Sequence, residues 1–243
     1  MKILFSLLIF LFAPQMIWGN NQLWQYSKSD STKIVALLDE AKNEKEDTNF
    51  PLYFANKFIG IRYVASTLER NKTEKLVINL QELDCTTLVE NVLALTLCVK
   101  TKQYSFNQFC TFLQKIRYNN GVISYPTRLH YFSEWINDNT KQGFVKEINT
   151  PNPPFKSQQI LDLHYMSTQH HKYPMLVQNP SWIKEIRKME QMVSGKTVNY
   201  IPKGILNNSS LIKDVIKDGD IIAIVTARKG LDTSHIGFAS WHN

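Results

Sequence analysis

The sequence predicts an α+β fold in which helices come first along the chain and strands follow. Apolar residues recur at helical spacing in several segments before residue 195. From there the period changes, and short β-branched and apolar runs predict strands at 197–201, 221–225 and 234–241. Helices followed by strands are typical of helices packed on one side of an antiparallel sheet. Residues 101–200 would then form a largely helical insertion before that sheet.

The stretch from 79 to 90 joins a polar turn to a helix and carries the best candidate for chemistry. Asp84 suits the N-cap, because its carboxylate can accept amide hydrogens of the first turn. Cys85 follows at the helix start, where the helix dipole stabilises a thiolate. Apolar residues at 88, 92, 95 and 99 give the helix one buried face. Cys85 is therefore a candidate nucleophile.

The alternative interpretation of Cys85 is a small, half-buried residue at an ordinary helix start. A histidine at the start of a predicted strand, His235, favours catalysis, because cysteine hydrolases often place a histidine far downstream. Cys98 and Cys110 lie on apolar helix faces and look structural. The chain has three cysteines, so at least one is free, and the pattern leaves a Cys98–Cys110 bridge open.

Further segments follow the helical or extended period. An extended run is expected at 76–78, and the strand at 221–225 is expected to be buried. The expected helices cover 31–42 with Val35 facing inward, a segment opened by Asn49-Phe50-Pro51, and segments around 106–116, 125–143, 157–169 and 180–195.

The first 19 residues predict a secretory signal peptide. Lys2 precedes an apolar run at 3–12, and Pro14 and Gly19 mark a plausible cleavage site. The apolar run is too short to span a bilayer. We therefore expect residues 20–243 to form a single exported domain, periplasmic or secreted, without a stable membrane anchor and monomeric.

The net charge and the spacing of the histidines indicate which classes of ligand the protein binds. The net charge of +7 suits an anionic polymer, whereas no nucleic-acid-binding motif accompanies it. His164, His170 and His171 have no carboxylate at ligand spacing, so the sequence predicts no metal and no cofactor.

Five short motifs resemble one family. Leu83–Glu90 and Ser234–Phe238 resemble the papain-like, NlpC-type cysteine peptidoglycan hydrolases, and within them the N-acetylmuramoyl-L-alanine amidase-like family of Bacteroidetes. Residues 60–69, 125–132 and 219–222 resemble the same family. The resemblance implies a papain-like NlpC-type core with an inserted subdomain.

The resemblance also implies roles for particular residues. Cys85 matches the nucleophile and His235 its base. Tyr63 matches a cleft tyrosine that helps to bind the oxyanion, with a core aromatic as the alternative. Arg128, His130 and Tyr131 match a stretch of the inserted subdomain that faces the cleft. Arg128 would pair with a muropeptide carboxylate, and a surface arginine is the alternative.

The implied activity is hydrolysis of the N-acetylmuramoyl-L-alanine bond of (anhydro)muropeptides in cell-wall turnover. The alternatives are a D-glutamyl-diaminopimelate endopeptidase of the same fold and an inactive, C-terminally truncated muropeptide-binding protein. Arg62 and Ser66 replace a proline and a glycine common in the family. The family's third catalytic residue would lie beyond Asn243, so none is assigned.

Overall fold

A computed structural model describes residues 23–148, 154–207 and 209–242 of the chain. The predicted signal peptide at 1–19 lies outside these residues. The described chain mixes helices and strands, in agreement with the predicted α+β class.

Helices carry most of the regular structure. They are α1 Lys28–Ala41, α2 Phe50–Asn56, α3 Cys85–Lys100, α4 Phe106–Arg117, α5 Phe132–Lys141, α6 Tyr165–Thr168, α7 Pro174–Gln178, α8 Trp182–Val193 and α9 Ser209–Val215. The strands are β1 Trp24–Gln25, β2 Arg62–Tyr63, β3 Leu76–Val77, β4 Glu82–Leu83, β5 Ser157–Ile160, β6 Thr197–Tyr200, β7 Ile221–Val225 and β8 Thr233–Phe238.

The strands pair two by two. β1 with β3 and β2 with β4 are short parallel pairs, whereas β5 with β6 and β7 with β8 are antiparallel. The predicted strand at 197–201 is present, but it pairs with residues 157–160 instead of joining the C-terminal strands. The helix predicted for 157–169 is therefore wrong over its first part, because pairing with a distant strand overrides the local pattern.

Helix α3 lies at the centre of the larger hydrophobic core. Helices α1, α2 and α4 and strand β8 pack around it, and its middle turns are buried on every side. A helix that is apolar all round is typical of a central position. Val35 of α1 was expected inside but is 38% exposed, because Ile34, Leu37 and Leu38 already fill the contact.

A second, smaller core lies in the region of the predicted insertion. It is built from residues 125, 131, 161, 163, 166, 175, 176, 186, 189 and 193. Helix α4, which the predicted boundaries of 101–200 include, packs instead on α3 in the larger core. Trp135 of α5 also belongs to the larger core.

The segment 125–132 departs from the predicted helix start. Residues Tyr125–Thr127 form a 3₁₀ turn, and α5 begins only at Phe132. Between them Arg128 is extended and forms a bridge with Tyr118, and the Leu129 N–H donates to the Arg117 carbonyl at 2.9 Å. Because these backbone bonds hold residues 128 and 129 against the end of α4, α5 begins only after them.

The hairpin β7–β8 is fixed to α2 through its preceding turn. The Asn49 side chain caps α2 and donates to the Asp218 carbonyl at 2.7 Å. A Cβ on Gly219, whose φ is +85°, would lie 2.5 Å from Asn49 Oδ1, so only glycine suits this turn. The prediction that β7 is buried is wrong, since its first three residues are only half-buried and Ile224 and Val225 are 48% and 36% exposed.

Candidate active site

The N-terminus of α3 is capped as the sequence predicts. The Thr87 N–H donates to Asp84 Oδ1 at 2.8 Å, and the Asp84 N–H donates to Thr87 Oγ1 at 2.9 Å. This reciprocal capping box fixes the first turn of the helix. Cys85 is the first helical residue, is half-buried and forms no disulfide. Its thiol therefore lies at the positive end of the helix dipole.

Strand pairing places Tyr63 beside this thiol. Tyr63 is in register with Leu83, two residues before Cys85, and the Val64 N–H donates to the Leu83 carbonyl at 3.0 Å. Loss of water around the hydroxyl, and then the nearby Cys85 and Asp84, raise the pKa of Tyr63 above its ordinary value. The phenol therefore stays protonated and can donate a hydrogen bond. The alternative interpretation as a core aromatic is wrong, because Tyr63 is 62% exposed.

The turn around Tyr63 accommodates both departures from the family pattern. Ser66 adopts a left-handed conformation with φ +60°, which a glycine would adopt with less strain. Arg62 forms an ion pair with its cross-strand neighbour Glu82, and Arg70 binds the other oxygen of the same carboxylate at 2.5 Å.

The structure brings the strand of His235 against the nucleophile helix but does not join the two side chains. Strand β8 packs on α3, and Ile236 points into the larger core. His235 is exposed and lies opposite Ile224 in the hairpin. Among the described side chains, no hydrogen bond links His235 to Cys85. The catalytic pairing of these residues stays a prediction.

Arg128 does not lie free in a cleft. Its side chain is 6% exposed and forms ion pairs with Glu69 and, at 3.5 Å, with Glu74. The guanidinium also lies 4.7 Å from the centre of the Tyr125 ring. With two carboxylates already in place, the predicted contact to a muropeptide carboxylate is not favoured, and neither is the alternative of a surface arginine. Arg128 instead holds the turn that ends at Glu69.

His130 and Tyr131 also have internal partners. His130 Nε2 lies 2.8 Å from the Tyr125 carbonyl, and burial together with the charge of Arg128 lowers the pKa of His130 to about 3. The Tyr131 hydroxyl donates to Glu190 at 2.6 Å and accepts from the Met166 N–H at 3.0 Å. Tyr131 is 2% exposed, so the prediction that it faces a cleft is wrong. Its role is in the smaller core.

The carboxylates that hold these residues could not be predicted from the sequence. Glu69 and Glu190 each lie 59 positions from their partners Arg128 and Tyr131. Asp232, just before β8, accepts from the Ser133 N–H at 2.7 Å across 99 positions. Long-range pairs of this kind have no local pattern, so only the fold shows them.

Three further features concern the described chain as a whole. Cys98 and Cys110 are buried and free, so the bridge that the sequence left open is not formed. Over residues 23–148, 154–207 and 209–242, no group of three or more histidine, cysteine, aspartate or glutamate side chains could hold a metal ion. Within the same ranges no helix is long and apolar enough to cross a membrane.

The fold and site together define a mixed helix-and-strand protein with a thiol at a capped helix start and a phenol beside it. Family comparison then gives a narrower class. The AmiA-like family model, described as N-acetylmuramoyl-L-alanine amidase-like, matches residues 53–243. The chain belongs to this family.

Several solved structures are similar to this chain. An N-acetylmuramoyl-L-alanine amidase from Bacteroides uniformis is 42% identical over 80% of each chain, with a TM-score of 0.73. A protein from Bacteroides fragilis described as a putative xylanase is 42% identical over 79% of this chain and 82% of its own, with a TM-score of 0.72. A Legionella pneumophila protein, 23% identical over 88% of this chain and 81% of its own, shares the fold with a TM-score of 0.64. No curated protein matches the chain significantly.

Proposed function

We propose that this protein is a cysteine amidase that hydrolyses the N-acetylmuramoyl-L-alanine bond of muropeptides. The observation that carries the proposal is the position of Cys85, at the capped start of α3 and beside the Tyr63 hydroxyl. Membership of an amidase-like family supports the same bond. Asp84, the carboxylate next to Cys85, is committed to the helix cap, which does not suit the paired-carboxylate chemistry of a glycosidase.

The residues suggest an acyl-transfer mechanism. The Cys85 thiolate attacks the carbonyl carbon of the lactyl group, and the Tyr63 hydroxyl donates to the developing oxyanion. His235 protonates the leaving amine of L-alanine and then activates the water that releases the acyl-enzyme. In this mechanism β8 must present His235 toward the start of α3 when substrate is bound.

The proposed substrate is a soluble muropeptide, including the anhydro form released during cell-wall turnover. Its carboxylates are attracted by the net charge of +7. We further propose export through the signal peptide at 1–19, with the mature protein periplasmic or secreted.

The direct test is mass spectrometry of a purified disaccharide-tetrapeptide incubated with the protein. We expect free tetrapeptide with an L-alanine amino terminus, and no product with Cys85→Ala. The matched control is Cys98→Ala, which removes a buried thiol distant from the helix start and should retain turnover.

Two other outcomes would replace the proposal. A cut between D-glutamate and diaminopimelate would identify the endopeptidase alternative of the same fold. Binding of the muropeptide without any product, in wild type as in Cys85→Ala, would identify an inactive binding protein.

A further inference from the structure

An open groove of about 610 Å³ lies between the start of α1 and the segment that leads to α3. One wall is formed by residues 25–27 and 30, at and before the start of α1, and the other by residues 77–79, 81 and 82, which lead to the nucleophile. Arg62, Thr67 and Arg70 line the groove between them. None of these residues has a role in the proposed chemistry.

The groove is lined by two arginines and two carboxylates, Asp30 and Glu82, and its most exposed charges are those of the arginines. Arg62 and Arg70 share the single carboxylate of Glu82, and their side chains are 74% and 54% exposed. A guanidinium has five N–H donors, so one contact to Glu82 leaves most donors of each arginine available. The second acidic residue of the wall, Asp30, is 4% exposed and accepts from the Leu80 N–H at 2.9 Å and the Ser27 N–H at 3.0 Å. Its charge is therefore directed inward.

The groove also lies at a suitable distance from the thiol. Arg62 precedes Tyr63 in β2, and Glu82 precedes Cys85 by three residues in an extended segment. An extended chain advances about 3.3 Å per residue, so Glu82 is roughly 10 Å from Cys85 along the backbone. A peptide that starts at the scissile bond would reach this point with its second or third residue. In the stem peptide of a muropeptide these residues are the acidic D-glutamate and diaminopimelate.

We propose that this groove binds the acidic stem peptide, with Arg62 and Arg70 contacting its carboxylates. The inference rests on the proposed function, because it takes the leaving group of that reaction as the ligand. Arginine suits the task, since its planar donors match a carboxylate in two-point geometry. The groove would thereby favour substrates with a full acidic peptide over those that end after L-alanine.

The kinetic test compares two substrates, disaccharide-tetrapeptide and disaccharide-L-alanine. For the double variant Arg62→Gln/Arg70→Gln we expect the ratio of the two kcat/KM values to fall about tenfold, through a higher KM for the tetrapeptide substrate. Arg187→Gln on α8 removes an exposed arginine elsewhere and should leave the ratio unchanged. An unchanged ratio in the double variant would overturn the proposal.

A binding test separates this inference from the proposed function. Calorimetry with Cys85→Ala measures affinity for the free tetrapeptide and for the same peptide with its carboxylates amidated. We expect binding of the acidic form alone, weakened by Arg70→Gln and strengthened by Glu82→Gln, which removes the competing carboxylate. A merely structural role for these residues would make both variants bind more weakly.

The two hypotheses fail in different ways. Tetrapeptide binding without hydrolysis of any muropeptide would support peptide binding in the groove and contradict the proposed amidase activity. Hydrolysis together with equal affinity for acidic and amidated peptides would support the amidase activity and contradict the recognition of carboxylates in the groove. Thermal unfolding of each variant shows whether a loss of binding comes from a loss of folding.

Discussion

Asp84 and Thr87 determine where the Cys85 thiol lies. Each side chain accepts the backbone N–H of the other, so local hydrogen bonds fix the first turn of α3. Tyr63 reaches the same point through the parallel pair β2–β4. A local cap and a strand pair thus place a nucleophile and a hydrogen-bond donor side by side.

Removal of the cap is expected to affect both stability and activity. Asp84→Ala should lower the free energy of unfolding by about 1 kcal/mol, the usual cost of a lost N-cap, and should lower kcat because Cys85 is less well fixed. Asp84→Asn preserves the capping oxygen and serves as the control. Denaturant unfolding and muropeptide turnover measure the two effects. Equal stability of Asp84→Ala and wild type would show that the cap does not position the thiol.

Loss of the Tyr63 hydroxyl is expected to act on kcat. Tyr63→Phe should reduce kcat by about 10²-fold with little change in KM, because an oxyanion donor acts mainly in the transition state. Tyr200→Phe, which changes a half-buried tyrosine in β6, provides the matched control. Steady-state kinetics with disaccharide-tetrapeptide measure both constants. A change confined to KM would assign Tyr63 to substrate binding instead.

Arg128 connects elements that are distant in the chain. It joins the turn Thr67–Glu69, which follows Tyr63, to the 3₁₀ turn at Tyr125 and to Glu74. Removing one member of a buried ion pair leaves the other charge without compensation. The segment that carries Tyr63 is therefore held by a buried ion pair with a residue that is distant in the chain.

Arg128→Ala is accordingly expected to destabilise the fold by about 3 kcal/mol. Arg128→Lys should recover only part of this, because an ammonium cannot satisfy two carboxylates with the geometry of a guanidinium. Thermal and denaturant unfolding measure the loss, with Arg187→Ala as the exposed control. Unchanged stability together with a raised KM would restore the interpretation of Arg128 as a substrate ligand.

The sequence predicted best the elements whose pattern is local. Helix α3 with its Asp84 cap, helices α1, α4 and α8, and strands β6 to β8 follow from periodicity and capping. Strand β5 was misassigned because its partner is distant in the chain: Ser157 pairs with Tyr200 and Ile160 with Thr197. Arg128 and Tyr131 were assigned to a cleft for a similar reason, because the carboxylates that bind them each lie 59 positions away.

On the scale of the whole molecule, two hydrophobic cores meet near α5. Asp232 accepts from the Ser133 N–H, which joins the approach to β8 to the start of α5. Glu134 lies next to this contact, and burial, followed by the charges of Asp138 and Asp232, raises its pKa to about 8. The junction thus contains a carboxyl that stays protonated at neutral pH.

This carboxyl predicts a pH dependence of stability. From pH 4.5, the ordinary pKa, to about pH 8, the unfolded state ionises Glu134 while the folded state keeps the proton. The free energy of unfolding should therefore decrease as pH rises through this window and level off above it. Urea unfolding at pH 5, 7 and 9 measures the slope. Glu134→Gln should reduce it, whereas Glu185→Gln, exposed on α8, should not.

The unequal burial of the three cysteines makes the protein suitable for site-specific labelling. Cys98 and Cys110 have no exposed surface, and burial raises the pKa of Cys98 to about 12 and that of Cys110 further. An alkylating reagent should therefore add one group to the native chain, at Cys85, and three after unfolding. A maleimide fluorophore could then be attached next to the cleft without first removing the other cysteines, so that ligand entry could be followed as a change in emission.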